Sequence, residues 1–233
     1  MSASRGLLLR ESRRGAVVVR ELGYANGTVL CEHRHEAAYV SIVLDGEYTE
    51  LRDGLPRRCM PGTAIVHRRD EVHADVFVAE GRCANFEPDQ GEAPTLDAVF
   101  GAVARLYPAL APALASASFA DERPGGEDAP PWVEPVLREF GWLDPVSLAG
   151  ASELAGMHPA HFVRAFRKHV GMTPGAYRRR ERIRAVSRLL LETQSSLSRI
   201  AQDCGFSDQS HLGNVFREST GISPHRYRRA FAR

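Results

Sequence analysis

The chain has 233 residues, of which 43% are hydrophobic and 25% are charged, the ordinary composition of a folded globular protein with room for two small domains. No apolar run reaches the roughly 18 residues that a membrane span needs. The Arg-rich first 14 residues hold a single apolar stretch, Leu7–Leu9, which is too short for the core of a signal peptide. We therefore expect a cytoplasmic protein with no membrane partner.

Charge divides unevenly between the two halves of the chain. Residues 131–233 hold 16 Lys and Arg against 9 Asp and Glu, a net +7, whereas residues 1–130 hold 14 against 20, a net −6. A basic half next to an acidic half predicts a polyanionic partner for the basic half.

The four cysteines, at positions 31, 59, 83 and 204, form no CxxC pair and no metal-ribbon spacing. In a reducing compartment such cysteines are expected to be small buried hydrophobic residues. The functional alternative is a thiol sensor that uses two of Cys31, Cys59 and Cys83.

Short β-branched runs separated by Gly and Pro fill the first ninety residues, which is typical of a β-sandwich or barrel. The runs are Ala16–Val19, Tyr39–Leu44, Ala64–Val66 and Asp75–Val78.

From Thr95 the pattern changes to apolar residues three and four apart, which predicts an amphipathic helix over about 95–115. Its apolar face is expected to pack on the barrel or on a second copy of the chain. Residues 120–131 are rich in Pro, Gly and acidic residues without apolar periodicity, and we interpret them as a linker.

After the linker, the sequence nearly repeats itself at an offset of about fifty residues. Gly156, His161, Phe166, Pro174 and Tyr177 recur as Gly205, His211, Phe216, Pro224 and Tyr227. In each copy a glycine ends a short helix, aromatic or aliphatic residues four apart form the core face of a second helix, and Pro begins the next one.

A short helix, a glycine turn and a second helix with polar outward residues is the helix-turn-helix arrangement, whose second helix enters the major groove. We expect the first unit at about 147–170 and the second at about 196–219. A connecting helix at about 175–192 is expected to join them, with the arginines of residues 178–184 on its solvated face.

Residues 132–229 resemble the DNA-binding domain of the AraC/XylS class of bacterial regulators, through the pattern from Ile200-Ala201 through Gly205-Phe206 and His211 to Gly221-x-Ser-Pro-x2-Tyr227. The resemblance implies two recognition helices in successive segments of the major groove. It implies base-reading roles for Ala160, Val163, Arg164, Gln209, Ser210 and Asn214. Phosphate contacts are expected from His161, Arg167, Lys168, His211 and Arg217, with capping or packing as the alternative for the two histidines.

The N-terminal half resembles the cupin barrels. Gly27-x5-His33-x-His35-x3-Tyr39-x6-Gly46 is similar to their first motif, with Tyr39 in place of the usual glutamate, and Pro61-Gly62…His73 is similar to their second. The interpretation that we favour is a sensor barrel in which His33, His35, Tyr39 and His73 line an effector pocket. The alternatives are a divalent-metal site at His33, His35 and His73, in a metal sensor or in a metal-dependent enzyme fused to DNA-binding helices.

The sequence thus predicts an α+β protein of two domains. A cupin-like β-barrel with a flanking helix occupies residues 1–119, and an all-α domain with two helix-turn-helix units occupies residues 132–233. We expect no catalytic residues, no required cofactor, and a transcription regulator in the bacterial nucleoid. Its expected partners are double-stranded promoter DNA, a small-molecule effector, RNA polymerase and a second copy of the chain. A further alternative is an interaction adaptor that has lost DNA readout.

Overall fold

The computed structural model describes residues 6–89, 96–109, 129–140 and 146–232. The chain divides into two compact units, one formed by Met1–Asp121 with Arg217–Phe231 and the other by Glu122–Phe216 with Ala232–Arg233. Most of the predicted linker, residues 120–128, lies outside the described residues, and the domain boundaries remain a prediction.

Nine strands are described, and all of them lie before residue 90. They are β1 (Leu7–Arg14), β2 (Val17–Tyr24), β3 (Val29–Arg34), β4 (Tyr39–Asp45), β5 (Tyr48–Arg52), β6 (Leu55–Cys59), β7 (Ala64–His67), β8 (Val72–Phe77) and β9 (Gly81–Pro88). One sheet has the order β1-β2-β9-β4-β7 and the other β3-β8-β5-β6, with antiparallel pairing throughout.

Two tight connections show how glycine shapes the sheets. Asp53 and Gly54 both have positive φ, 51° and 70°, between the paired residues Arg52 and Leu55, which is the geometry of a two-residue hairpin turn. Gly46 has φ 73°, and a Cβ there would lie 2.3 Å from the Glu80 carbonyl oxygen, so that only glycine fits.

Alternating side chains of both sheets form the apolar core of the first unit. One buried cluster joins the two sheets through Leu30, Val43, Tyr48, Cys59, Ile65, Phe77 and Cys83. Another joins β2, β4, β7 and β9 to helix α1 (Leu96–Leu106) through Val99, Ala102 and Val103. The described part of the predicted helix ends at Leu106 and packs its apolar face on its own barrel, which is one of the two expected arrangements, while residues 110–115 of the prediction lie outside the described residues.

The remaining described helices follow residue 130. They are α2 (Val133–Glu139), α3 (Leu148–Leu154), α4 (Pro159–Val170), α5 (Pro174–Glu192), α6 (Leu197–Asp203), α7 (Gln209–Thr220) and α8 (Pro224–Phe231). Both helix-turn-helix pairs and the connecting helix fall within a residue or two of their expected positions. Within the described ranges, no helix combines the length and the apolar character needed to cross a membrane.

Aromatic side chains form the core around the first helix-turn-helix unit. Phe140, Phe162 and Phe166 are almost fully buried and pack in edge-on or tilted pairs with ring centroids 5.5–6.4 Å apart, the geometry that aromatic pairs prefer. Val133, Val136, Ala151, Val170 and Tyr177 complete this cluster. The predicted fold class, a β-barrel half followed by an all-α half, is confirmed.

Candidate functional site

The first helix-turn-helix unit consists of α3, a turn at Gly156, and α4. Ser147 caps α3 by accepting a hydrogen bond from the Gly150 amide. Gly156 has φ 64°, and the following amide, of Met157, donates to the Ser152 carbonyl at 2.9 Å. This left-handed residue ends the helix and turns the chain into α4.

The second unit repeats the same hydrogen bonds with α6 and α7. Gly205 has φ 70°, and the Phe206 amide donates to the Ala201 carbonyl, again at 2.9 Å. Ser196 caps α6 by accepting from the Arg199 amide. The sequence repeat is therefore also a structural repeat at the turn between the two helices of each unit.

Each second helix has one buried face and one exposed face. Phe162, Phe166 and Val170 are buried on α4, and Leu212, Phe216 and Thr220 are buried on α7. The residues expected to read bases lie on the other sides: Ala160, Arg164, Gln209, Ser210 and Asn214 are exposed, and Val163 is half-buried. All six residues that are predicted to read bases are therefore at least partly exposed on the surface of their helices.

The residues expected to bind phosphates are also accessible. His161, Arg167 and Lys168 on α4 and His211 and Arg217 on α7 are all exposed. His211 makes the local contacts of the packing alternative, and its expected phosphate contact remains a prediction. Its Nδ1 lies 3.0 Å from the Ser207 hydroxyl and its ring packs edge-on to Phe206, while the residue stays open to solvent.

Asp208 caps the recognition helix of the second unit. Its carboxylate accepts a hydrogen bond from the His211 amide at 2.8 Å and another from the Ser207 hydroxyl at 3.0 Å. These bonds, the one from the His211 amide above all, lower the pKa of Asp208. The charged carboxylate therefore orders the start of the helix that is expected to read bases.

The arginine run on α5 is not uniformly solvated, contrary to the expectation from the sequence. The Arg178 guanidinium lies 4.1 Å from the centre of the Phe140 ring and donates to the Val146 carbonyl, and that of Arg180 lies 5.1 Å from the centre of the Tyr177 ring. Arg179 and Arg184 are exposed. The sequence could not show which arginines have an aromatic partner, because Phe140 is nearly forty residues from Arg178.

A cavity of about 630 Å³ opens inside the barrel of the first unit. This is within the range of small-molecule sites, roughly 300–1,000 Å³. The cavity is lined by aromatic, imidazole, polar and charged side chains, among them Tyr24, Tyr48, Phe77, Ser41, Asn85, Asp75 and all four of the predicted pocket residues, His33, His35, Tyr39 and His73.

The predicted pocket residues lie close together. The ring centres of His33 and His73 are 4.2 Å apart, and those of His35 and His73 are 5.4 Å apart. Tyr39, which replaces the cupin glutamate, has its hydroxyl 3.2 Å from Nε2 of His35. One nitrogen each of His33, His35 and His73 falls within 4.8 Å of the others, a donor set that fits a divalent transition metal.

Two further residues at this site were missed by the sequence analysis. His67, at the end of β7, pairs with Tyr39 across the sheet, and its ring centre is 4.4 Å from that of His73. Glu50 on β5 is fully buried, with Oε1 3.7 Å from Nδ1 of His67. Two signals in the sequence could have identified them. His67 ends an apolar strand, and Glu50 is a lone carboxylate two residues after Tyr48, on the same face of its strand.

Burial sets the protonation of this cluster. It lowers the pKa of His73 to about 3, with the neighbouring His33 contributing, and lowers the pKa of His67 well below its ordinary value, with His73 contributing. Both imidazoles are therefore neutral near pH 7, which is the form that binds metal ions.

The cysteines do not form a reactive pair. Cys31, Cys59, Cys83 and Cys204 are all free thiols, and only Cys31 is exposed. Burial raises the pKa of Cys83 to about 12 and that of Cys59 well above its ordinary value. Because the thiolate is the reactive form, this geometry favours the expectation of packed, inert cysteines over the thiol sensor.

Comparison with protein families and with characterised proteins places the C-terminal half. A family model described as a helix-turn-helix domain matches residues 151–230. An HTH-type transcriptional regulator of Mycobacterium tuberculosis is 32% identical over 142 residues, which are 47% of this chain and 55% of that protein. The transcriptional activator RhaS of Pectobacterium atrosepticum is 32% identical over 100 residues, 40% of this chain and 36% of that protein.

The multiple antibiotic resistance protein MarA of Salmonella typhimurium is 30% identical over 97 residues, which are 42% of this chain and 72% of MarA. The chain thus spans most of MarA, but about half or less of the mycobacterial regulator and of RhaS.

Solved structures are each similar to part of the chain. A transcriptional regulator with an AraC-type DNA-binding domain from Chromobacterium violaceum is 25% identical, with a TM-score of 0.38 over 41% of this chain and 91% of its own. A cupin superfamily protein from Desulfitobacterium hafniense is 14% identical, with a TM-score of 0.33 over 38% of this chain and 81% of its own. Residues 151–230 match the helix-turn-helix family model, and the chain is 30% identical to MarA over 72% of MarA. The chain therefore belongs to the AraC/XylS-type family of bacterial transcription regulators.

Proposed function

We propose that the protein is a sequence-specific DNA-binding regulator of transcription whose barrel binds a small-molecule effector. The observation that carries the proposal is the pair of helix-turn-helix units, each with an exposed polar face on its second helix. Residues 131–233 carry a net charge of +7, which supports binding to the DNA backbone.

In this proposal the two recognition helices have distinct chemistries. Arg164 can donate to guanine and Gln209 and Asn214 can pair with adenine, whereas Ala160 and Val163 provide apolar contacts of the kind made with a thymine methyl group. The basic and imidazole side chains of α4 and α7, at positions 161, 167, 168, 211 and 217, hold the helices in register on the phosphates.

The barrel cavity is the proposed effector site. Its volume suits a small organic molecule, and its lining combines aromatic faces with a few polar groups, as specific small-molecule sites do. We propose that no cofactor is required and that the barrel senses rather than catalyses. Membership of a regulator family supports this assignment.

The second candidate function is a metal-dependent cupin enzyme, or a metal sensor, on the same DNA-binding helices. The observation that favours it is the donor set of His33, His35 and His73. A bound divalent ion would supply Lewis acidity there. Purified protein that holds a stoichiometric metal and converts a substrate would replace the proposed function by this one.

We propose promoter DNA in the nucleoid as the target, RNA polymerase as a partner, and a homodimer that doubles the number of reading helices. The activator name of RhaS supports a role in activation for this chain.

The test is to sequence the genomic fragments that the purified full-length chain selects at about 0.15 M salt, because salt sets the balance between specific and non-specific binding. We expect an enriched motif of two blocks about one helical turn apart. Binding without an enriched motif would contradict sequence-specific readout, and no binding at any salt concentration would support the adaptor alternative.

A further inference from the structure

Two polar side chains line the barrel cavity from different sheets and lack a protein partner. Asp75 on β8 and Asn85 on β9 have exposed fractions of only 7% and 8%. Oδ2 of Asp75 is 3.9 Å from Nε2 of His73, which is beyond hydrogen-bond distance, and among the described residues neither side chain has a hydrogen-bond partner. Because buried polar groups are normally hydrogen-bonded, their partners must come from what fills the cavity.

The arginines that line the cavity do not compensate the charge of Asp75. Arg20 donates to the Glu11 carboxylate at 2.8 Å and is also paired with Glu87. Arg34 is exposed. Within the part of the wall that the structure describes, no arginine is therefore bound to the Asp75 carboxylate.

A charge on Asp75 is costly in the protein alone. Burial, with a further contribution from the carboxylate of Glu50, raises the pKa of Asp75. The imidazole of His73 does not offset this cost, because burial lowers its pKa to about 3 and leaves it neutral. A cation within hydrogen-bond distance stabilises a buried carboxylate. An ammonium group in the cavity would provide both the positive charge and the N–H donors.

The wall beside Asp75 is aromatic. Phe77 lies two residues further along β8, on the same face of the strand and therefore about 7 Å away. Its ring stacks on those of Tyr24 and Tyr48, with centres 4.0 and 4.9 Å apart, and all three residues line the cavity. Aromatic rings offer a large apolar contact surface, and their faces attract cations. The cavity thus has a carboxylate and an aromatic surface within the span of a short alkyl chain.

We propose that the barrel cavity binds an organic ammonium ion with an aromatic body. Its N–H groups donate to the carboxylate of Asp75 and to the side-chain oxygen of Asn85, and its ring packs on Tyr24 and Phe77. The cavity volume of about 630 Å³ accommodates such a molecule. The inference names the chemical class of the effector, and so it rests on the proposed function.

The experiment is a calorimetric titration of the full-length chain with arylalkylamines. The probes are benzylamine, 2-phenylethylamine and 3-phenylpropylamine, each compared with the alcohol in which a hydroxyl replaces the amino group. The titration is done at pH 8, where alkylamines, like the lysine side chain, are still protonated. We expect at least one amine to bind with one-to-one stoichiometry and about 10-fold more tightly than its alcohol, because hydrogen bonds between charged groups are the stronger ones.

A matched pair of variants tests the role of the carboxylate. Asp75→Asn keeps the shape of the side chain and removes its charge, so it should weaken amine binding by roughly 10- to 100-fold and leave alcohol binding nearly unchanged. The control is Asp53→Asn, the same chemical change at an exposed hairpin turn where Asn before Gly is favoured. It should bind the amine as the wild type does. Far-ultraviolet circular dichroism checks that both variants fold, and if Asp75→Asn does not, the comparison of amines with alcohols on the wild type decides the question.

Two outcomes overturn the inference. One is that no amine binds to the wild type more tightly than its alcohol, and the other is that the preference for the amine persists in Asp75→Asn. The selection of genomic DNA by the same protein is a separate readout. An enriched motif without a preference for amines removes the ligand class and leaves the DNA-binding function standing. A preference for amines in protein that selects no motif contradicts sequence-specific regulation and leaves the ligand class standing.

Discussion

The Arg178 guanidinium lies 4.1 Å from the centre of the Phe140 ring and donates a hydrogen bond to the Val146 carbonyl. It thereby connects α5, which joins the two helix-turn-helix units, to the segments on either side of residues 141–145. An arginine in a basic run is easily interpreted as a DNA contact, but this one has protein partners. Its role is to fix the connecting helix.

Replacing Arg178 should therefore reduce stability and leave the electrostatics of DNA binding nearly unchanged. A partly buried cation–π contact contributes about 0.5–2 kcal/mol, so we expect Arg178→Ala to lower the free energy of unfolding by about that amount. Both tryptophans of the chain, Trp132 and Trp142, lie in this half, so their fluorescence during denaturant titration measures the effect. A slope of log affinity against log salt that falls by about one unit in Arg178→Ala would identify a phosphate contact instead.

Arg164 and Gln209 should behave in the opposite way. Both are exposed on the outer faces of the second helices, so their replacement by Ala removes base contacts without disturbing a core. We expect each change to cost about 1–3 kcal/mol of binding to the selected motif and to relax preference at one base position. The control is Arg138→Ala, an exposed arginine on α2 outside the predicted DNA face. Unchanged affinity in both variants would favour the adaptor interpretation.

The glycine at the first helix-turn-helix turn is required for its backbone conformation and not for space. Gly156 has φ 64°, and a Cβ added there would meet nothing within 4 Å. Gly156→Ala should therefore destabilise the protein by about 1–2 kcal/mol through left-handed strain alone.

Gly175 provides the matched comparison, because its surroundings are equally open but it lies in α5 without a positive φ. There, replacement by Ala should stabilise the protein by about 0.4–1 kcal/mol. Fluorescence-detected unfolding of both variants checks the pair. Equal effects of the same sign would show that the turn does not depend on the left-handed conformation.

The Asp208 cap should make stability depend on pH in the acid range. Because its pKa in the folded protein is lowered, the carboxylate stabilises the folded state above the ordinary aspartate pKa, and that contribution disappears as the pH falls through the lowered value. Asn also caps helices but carries no charge. The difference in unfolding free energy between wild type and Asp208→Asn should therefore be constant from pH 5 to 7 and change only below about pH 4. A difference that changes between pH 5 and 7 would contradict the assignment.

Much of the C-terminal half was predictable because its determinants are local. Ser147, Gly156 and Pro159 set the bounds of α3 and α4, and the four-residue spacing of Phe162 and Phe166 determines which face is buried. Such signals act within one or two helical turns, and the near-repeat at an offset of about fifty residues contains the same signals in both units. The exposed positions of Arg164 and Gln209 follow directly.

The barrel was predictable as a fold and only in part as a site. The cupin-like motifs identified His33, His35 and His73, whereas Glu50 and His67 carried no motif. His67 lines the same cavity, and Oε1 of Glu50 lies 3.7 Å from its Nδ1, although β7 and β5 belong to different sheets. The order of the strands in these sheets does not follow from their order in the chain. Side-chain alternation along a strand is a local property, but which strands become neighbours depends on non-local pairing.

The sequence by itself determined the two reading helices, their caps and their outward residues, because hydrogen bonds and side-chain contacts a few residues apart specify them. Only the tertiary structure decided which arginines of α5 lie against aromatic rings and that α1 packs on its own barrel. It also decided that the buried carboxylate of Glu50 lies close to two histidines. Each of these depends on packing between segments far apart in the chain, where burial and the loss of water determine what a side chain can do.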